Sequence, residues 1–342
     1  MSPETTVDRT ALAIPTVGGV RVTDASAAAG GVCWTLAATA GGLSAIERAL
    51  ALAVLVLVPL GAGMVATPPF GSRAGQLFAA AVVAQPVAAG LLVGSLLVES
   101  GPLAAALAAP WVGVTGLLAA AALLRISDRE PWPLGEARAA ETVLDAGLAY
   151  PTVASVALVM FHLDIVFWFE RVIILLTAVH FHYAGFVLPV ATGLAGRTLD
   201  GEDRLYRVLA AVVVGGPALI AVGISFSPLV EFVSVGGFTV AVATLGVYVV
   251  GRVVPGRPRG QAVLVGASAL ALPVSMALAL GYGVGAYTGN PVLGLDIGTM
   301  VALHGSLNAL GFGLLGVVGW RLAVPSRPGT NTEDTAPSRE GR

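Results

Sequence analysis

The 342-residue chain contains four histidines, and each lies in or at the edge of a long apolar run. His180 and His182 fall in ERVIILLTAVHFHYAGFVLPVATG (170–193), and His304 falls in TMVALHGSLNALGFG (299–313). His162 closes a third run and is followed by Asp164. Imidazole titrates near neutral pH and also ligates metals, so proton transfer, metal ligation and polar-solute binding are the chemistries in question. His304 and Asn308 are one helical turn apart and share a face. His180 and His182 are two residues apart, which turns their side chains about 200° around a regular helix. They cannot ligate one ion together unless that helix is distorted. Pro189 removes the backbone bond to Gly185 and predicts a kink just beyond the pair. The metal candidates are His180, His182 and His304, and the pattern identifies no cofactor. Against all of this stands a plainer reading, in which the imidazoles hydrogen-bond across helices as packing contacts.

The neighbouring polar residues divide in the same way. Tyr183 and Thr177 flank the histidine pair, as hydrogen-bond partners or as packing. Glu170 precedes Arg171 and reads as an interfacial ion pair. Glu141 and Asp145, one turn apart, read as headgroup-level charges near Arg138. Glu231 and Asp296 read as helix-end residues. Trp111, Trp168 and Trp320 fall near expected interfaces, as an aromatic belt requires. Cys33 is the single cysteine, which excludes a CxxC motif and an intrachain disulfide. GxSxG, HExxH and the P-loop do not occur. GFGLLG (311–316) matches GxGxxG only inside an apolar run with no strand before it, and GYGVGAYTG (281–289) reads as a loop.

The elements that carry these residues follow from composition. The chain is 56% hydrophobic and 11% charged, where a soluble domain carries about 25% charged residues. With a net charge of -2 it has no basic field to bind nucleic acid. A spanning helix needs roughly 20 mostly apolar residues. Such runs lie near 26–43, 46–67, 75–98, 103–124, 142–162, 171–194, 206–227, 230–250, 261–284 and 298–320. The first is diluted by Gly30, Gly31, Gly41 and Gly42. These runs predict an all-α polytopic integral membrane bundle of about ten transmembrane helices. They lack the period-two alternation of a β-barrel.

Loop charge tests that reading. Sixteen of the 18 basic residues, all arginines, fall in the tails or in loops after even-numbered spans, leaving only Arg48 and Arg171 on the other side. Positive charge stays on the cytoplasmic side. The expected organisation is therefore a cytoplasmic N-terminal tail (1–25), a transmembrane domain (26–322) and a disordered C-terminal tail (323–342). The tail residues Glu4, Asp8 and Arg9 precede any long apolar run, unlike a cleaved signal peptide. The expected location is the plasma membrane, with both termini cytoplasmic. His180 and His182 then lie about 13–17 Å, and His304 about 10 Å, below the outer ends of their spans. Ionisable groups at such depth cost about 2.5–3.5 kcal/mol or more each, which marks them as functional candidates. His162 lies nearer the surface, so the four can line one path from the outside.

The run FHLDIVFWFERVIILLTAVHFHYAGF (161–186), with LTAVHFHYAGFVLPVATGL (176–194) and HGSLNALGFGLLG (304–316), resembles the YndJ-like membrane proteins of bacteria and archaea. The likeness covers roughly residues 30–322. It implies a polytopic helical fold and weight for His180, His182 and His304, and it carries the label of a transporter family. Other members carry an additional soluble C-terminal region, which is not expected here.

Three functions fit. A transporter would bind a small molecule or ion, or relay protons, along His180, His182, His304, Asn308, Tyr183, His162 and Glu170, with Pro189, Pro217 and Pro273 as helix breaks. An intramembrane enzyme would hold haem, zinc or iron on the histidines. A membrane assembly partner would use them structurally. In each case the surrounding partner is the lipid bilayer.

Overall fold

A computed structural model describes residues 12–129, 139–199, 201, 203–290, 292 and 294–326. Among these, nine helices are long and apolar enough to cross a membrane. They are the second to tenth expected spans: Ala45–Val65, Arg73–Leu96, Pro102–Ser127, Ala139–His162, Arg171–Gly196, Arg204–Phe226, Pro228–Gly256, Arg259–Thr288 and Ile297–Leu322. Successive helices pack as neighbours through the third to sixth and the seventh to tenth. The second is the central one, with 83% of its most apolar stretch buried in the protein against 28–56% for the others. Large apolar side chains such as Val87, Leu103 and Phe226 remain exposed on the bundle, where lipid is their natural solvent.

The first expected span is helical over Val22–Ala40 but is not among the nine. Asp24, Thr23 and Ser26 make it too polar. Its neighbours nonetheless lay it across the full depth. The Thr23 side chain fills the space above Gly63 near one end of the second helix. Gly30 lies flush on the backbone of Leu55 in the middle, where any side chain would collide. The Trp34 indole donates to the Arg48 carbonyl at 2.8 Å near the other end. Nineteen residues rise about 28 Å, enough to traverse the hydrocarbon layer. Its start is clasped to the tenth helix, where Arg321 donates to Asp24 at 2.9 and 2.6 Å.

Two expectations change here. Residues 12–25 are not simply a loose tail: a hairpin pairs Thr16–Val17 with Val20–Arg21, and the first helix follows at once. The segment 281–289 is not a loop. The ninth helix continues to Thr288 and stops at Gly289, whose φ of 71° provides a left-handed cap. Residues 1–11, 327–342 and Arg138 lie outside the described residues.

Three helices contain a widened π turn, and in each a proline follows two residues after it: Ala53–Leu57 before Pro59, Tyr183–Val187 before Pro189 and Val249–Val253 before Pro255. A proline ring crowds the carbonyl four residues earlier and offers it no N–H. The wider turn moves that carbonyl aside. The tenth helix is π-wound over Val301–Gly305 and Leu307–Leu314 without a proline.

Polar side chains then fasten the helices. Gln261, Ser268 and Ser275 recur every seventh residue on the ninth helix, all buried, and all meet the tenth. Gln261 Nε2 donates to the Ala323 carbonyl at 2.8 Å, and Ser268 Oγ to the Phe312 carbonyl at 2.7 Å. A seven-residue repeat keeps one helix face against a partner over its length. Asp203 caps the seventh helix through the Tyr206 N–H at 3.0 Å and accepts from Tyr248 Oη at 2.6 Å. The phenol's hydrogen bond holds that carboxyl below the usual carboxylate range.

Glu141 and Asp145 are not headgroup-level charges. Both are buried among Arg125, Arg129 and Arg197. Arg197 Nε meets Glu141 Oε1 at 2.6 Å, Arg125 meets Glu141 Oε2 and Asp145 Oδ1 at 2.6 Å each, and Arg129 pairs with Asp145. Arg197 also donates to the Thr67 carbonyl at 2.7 Å and the Val65 carbonyl at 3.2 Å, where the second helix ends. Arg125 lies over the Phe70 ring at 4.1 Å. The cluster joins the second, fourth, fifth and sixth helices at the arginine-rich end. Glu141→Gln should leave two guanidinium groups short of a buried partner and cost about 3–5 kcal/mol. Thermal unfolding of the detergent-purified protein reads this, and an unchanged midpoint would contradict the cluster.

Candidate functional site

The sixth helix is a regular α-helix from Arg171 to His182, and its π turn begins only at Tyr183. The distortion therefore lies beyond both histidines and does not bring them onto one face. His182 is fully buried. Its Nδ1 lies 2.7 Å from the Ala178 carbonyl and its Nε2 lies 3.1 Å from Trp111 Nε1. A carbonyl only accepts and an indole N–H only donates, so the ring is neutral with its proton on Nδ1, and both nitrogens are engaged. Trp111 is itself fully buried, about 14 Å along the fourth helix. It belongs to no interfacial belt. Trp320 is also buried, and of the three only Trp168 is exposed.

His162 stands apart from that pair. Ser95 Oγ donates to the Leu92 carbonyl at 2.6 Å and so accepts from His162 Nε2 at 3.1 Å. Ser100 Oγ lies 3.5 Å from Nδ1. This buried imidazole ties the fifth helix to the third at the arginine-poor end. Nearby, Arg171 does not pair with Glu170. It reaches Asp164 at 3.4 Å and stands over the Phe161 ring at 3.8 Å. Adjacent residues on a helix diverge, whereas the turn at Asp164 folds back over the helix start. Glu170 is exposed. Tyr183 Oη donates to the Ala49 carbonyl at 2.8 Å, joining the sixth helix to the second, and Thr177 bonds within its own helix to the Ile173 carbonyl.

His180 and His304 differ from the other two. His180 Nδ1 lies 2.7 Å from the Leu176 carbonyl, and the residue is exposed although it sits about 14 Å into its helix. His304 Nδ1 lies 3.0 Å from the Ser275 carbonyl and 2.9 Å from Ser275 Oγ. In both rings the carbonyl places the proton on Nδ1. Each Nε2 keeps a lone pair without a partner among the described residues. Asn308 Nδ2 donates to the His304 carbonyl at 2.8 Å and to Ser275 Oγ. Asn308 Oδ1 is likewise without a partner among the described residues.

The sixth and tenth helices meet just beyond these groups. The Tyr183 ring lies against Gly313, where a side chain would hold the sixth and tenth helices apart. The first turns of the second helix touch both. His162 and His182 bond to residues of the third and fourth helices, His304 and Asn308 meet at Ser275 of the ninth, and among the described residues His180 bonds only within its own helix. Among the described residues no three of His, Cys, Asp and Glu gather around a possible metal position. Ser275, Trp111 and the buried ion cluster carry the arrangement and are not singled out by sequence reading. The seven-residue spacing of Gln261, Ser268 and Ser275 is the signal that marks the first.

Trp111→Phe should strand His182 Nε2 in the core and cost about 1–3 kcal/mol in unfolding of the detergent-purified protein. Adding His182→Leu should recover part of that loss. Strictly additive losses would remove the coupling.

Residues 48–312 match the YndJ-like protein family. The uncharacterized membrane protein YndJ of Bacillus subtilis (strain 168) is 31% identical over 295 residues. That match takes in 84% of this chain and 50% of the relative, so the chain spans about half the length of the curated relative. No solved structure matches. The matched residues run from the second helix through His180, His304 and the π-wound turn at Asn308, and the chain belongs to the YndJ-like protein family.

Proposed function

We propose that the protein is a transporter of the plasma membrane whose solute path runs through a crevice between the sixth and tenth helices. The observation that carries this reading is His180: a mid-depth imidazole that is exposed and has an unpartnered Nε2. An ionisable group this deep is costly unless it lines a hydrated space or finds a partner. His304 and Asn308 sit on the facing helix, whose winding is irregular at that depth, as transport sites often are. The arginine-rich end is cytoplasmic in this reading, so the crevice opens from the outside.

His180→Cys, in a Cys33→Ala background, should react with a membrane-impermeant thiol reagent added outside, while His182→Cys should stay inert. Failure of His180→Cys to react from either side would end the hydrated path. Cysteines at Ser127 and Arg257 should label together from the cytoplasmic side, and cysteines at Ser100 and Leu163 from the opposite side. Labelling of Ser127 and Arg257 from opposite sides would break the helix count.

A further inference from the structure

We propose that the corner joining the eighth and ninth helices binds the phosphate of an anionic phospholipid headgroup through Arg252, Arg257 and Arg259. The proposal stands apart from the transport reading. At the arginine-rich end Arg125, Arg129 and Arg197 are spent on Glu141 and Asp145, and Arg321 is spent on Asp24. The corner is different. Its sequence, RVVPGRPR (252–259), holds three arginines and no acidic residue. Tight turns keep the three together. The eighth helix ends in its π turn and a 3₁₀ turn over Val254–Gly256. The Arg257 N–H bonds to the Val254 carbonyl at 3.0 Å, and the ninth helix starts at Arg259. Val254 packs over Gly266 of the ninth helix, which fixes the corner to that helix.

What each guanidinium already does selects the ligand. Arg252 and Arg259 are exposed and Arg257 is half-buried. Arg257 Nε is closed off from solvent and has no acceptor among the described residues. A buried donor left in that state is costly. Arg252 lies 3.9 Å from Asp203, whose two oxygens already accept from the Tyr206 N–H and from Tyr248 Oη. The start of the seventh helix adds Arg204 and Arg207 beside that carboxylate, while Asp200 and Glu202 lie outside the described residues. The corner therefore holds guanidinium donors in surplus and no carboxylate of its own. A lipid phosphodiester presents acceptor oxygens and a single negative charge, which the planar guanidinium fork matches. A zwitterionic headgroup adds an ammonium that these arginines repel. Position favours a lipid over a free anion. The corner caps two membrane-crossing helices, and below it Val240 and Val247 on the eighth and Val263 and Leu270 on the ninth are exposed to acyl chains. Basic clusters at a membrane border recognise anionic lipids in this way.

The test uses the full chain purified in detergent. Short-chain phosphatidylglycerol should raise the thermal midpoint saturably, beyond phosphatidylcholine of the same chain length. The triple variant Arg252→Gln, Arg257→Gln, Arg259→Gln should weaken the apparent Kd about tenfold or more, because each arginine at the lipid surface adds to the attraction. Arg73→Gln, which removes an exposed arginine at the start of the third helix, should retain the response. Should the triple variant fail to fold, the Arg257 Nε–H resonance of nitrogen-15-labelled wild type should still shift on adding phosphatidylglycerol. A response to phosphatidylcholine equal to that to phosphatidylglycerol, a full response in the folded triple variant, or an unmoved Arg257 resonance would overturn the assignment. So would an equal response to inorganic phosphate, which would make the ligand a free anion.

Discussion

Hydrocarbon offers no hydrogen-bond partner, so each polar group placed inside this bundle must find one within the protein or within water the protein admits. That constraint organises the whole interior. Glu141 and Asp145 lie in a cage of three guanidinium groups. His182 is held between a carbonyl and an indole, and His162 between two serines. Gln261 and Ser268 bond backbone carbonyls of the neighbouring helix. Against this background an imidazole with a free nitrogen at mid-depth stands out on physical grounds. His180 and His304 are the two that meet that description among the described residues.

Helix winding decides which groups end up satisfied. In the sixth helix the proline-linked π turn starts just past His182, so the two histidines keep the opposite headings of a regular helix. One heading meets Trp111, and the other leaves the His180 ring bonded only to the Leu176 carbonyl of its own helix. In the tenth helix the wide winding runs through His304 and Asn308 themselves. There the carbonyls of His304 and Phe312 also accept from side chains, Asn308 Nδ2 and Ser268 Oγ. Ser268 thereby fixes the tenth helix to the ninth.

Much of the fold was legible in the sequence because lipid demands long apolar runs, and arginine placement gave their alternation independently. Nine of the ten runs satisfy length and apolarity, and the first lies along the second helix through its contacts with Leu55, Gly63 and Arg48. The candidate site was legible in part. Depth singled out His180, His182 and His304 together, and helical spacing placed Asn308 with His304. The separation of His180 from His182 was not legible, because in a membrane both faces of a helix are apolar and periodicity does not say which one faces inward. Trp111 lies 71 residues from His182, and Arg197 lies 56 from Glu141. No local pattern announces such meetings. Glu141 and Asp145 looked like surface charges for the same reason, since their partners come from two other helices.

Charge holds the arginine-rich end. Charge-assisted contacts near 2.6 Å lock the second, fourth, fifth and sixth helices into one body. Arg321 ties the end of the tenth helix to the first through Asp24 at 2.6 Å. Deeper along its length the tenth helix is held to the ninth by the hydroxyls of Ser268 and Ser275, and it has the smallest buried share of the nine spans. Neutral hydrogen bonds cost less to exchange than buried ion pairs. Any rearrangement of the tenth helix is therefore cheapest as a pivot about its Arg321 end, which moves His304 and Asn308 while His180 stays with the ion-locked body.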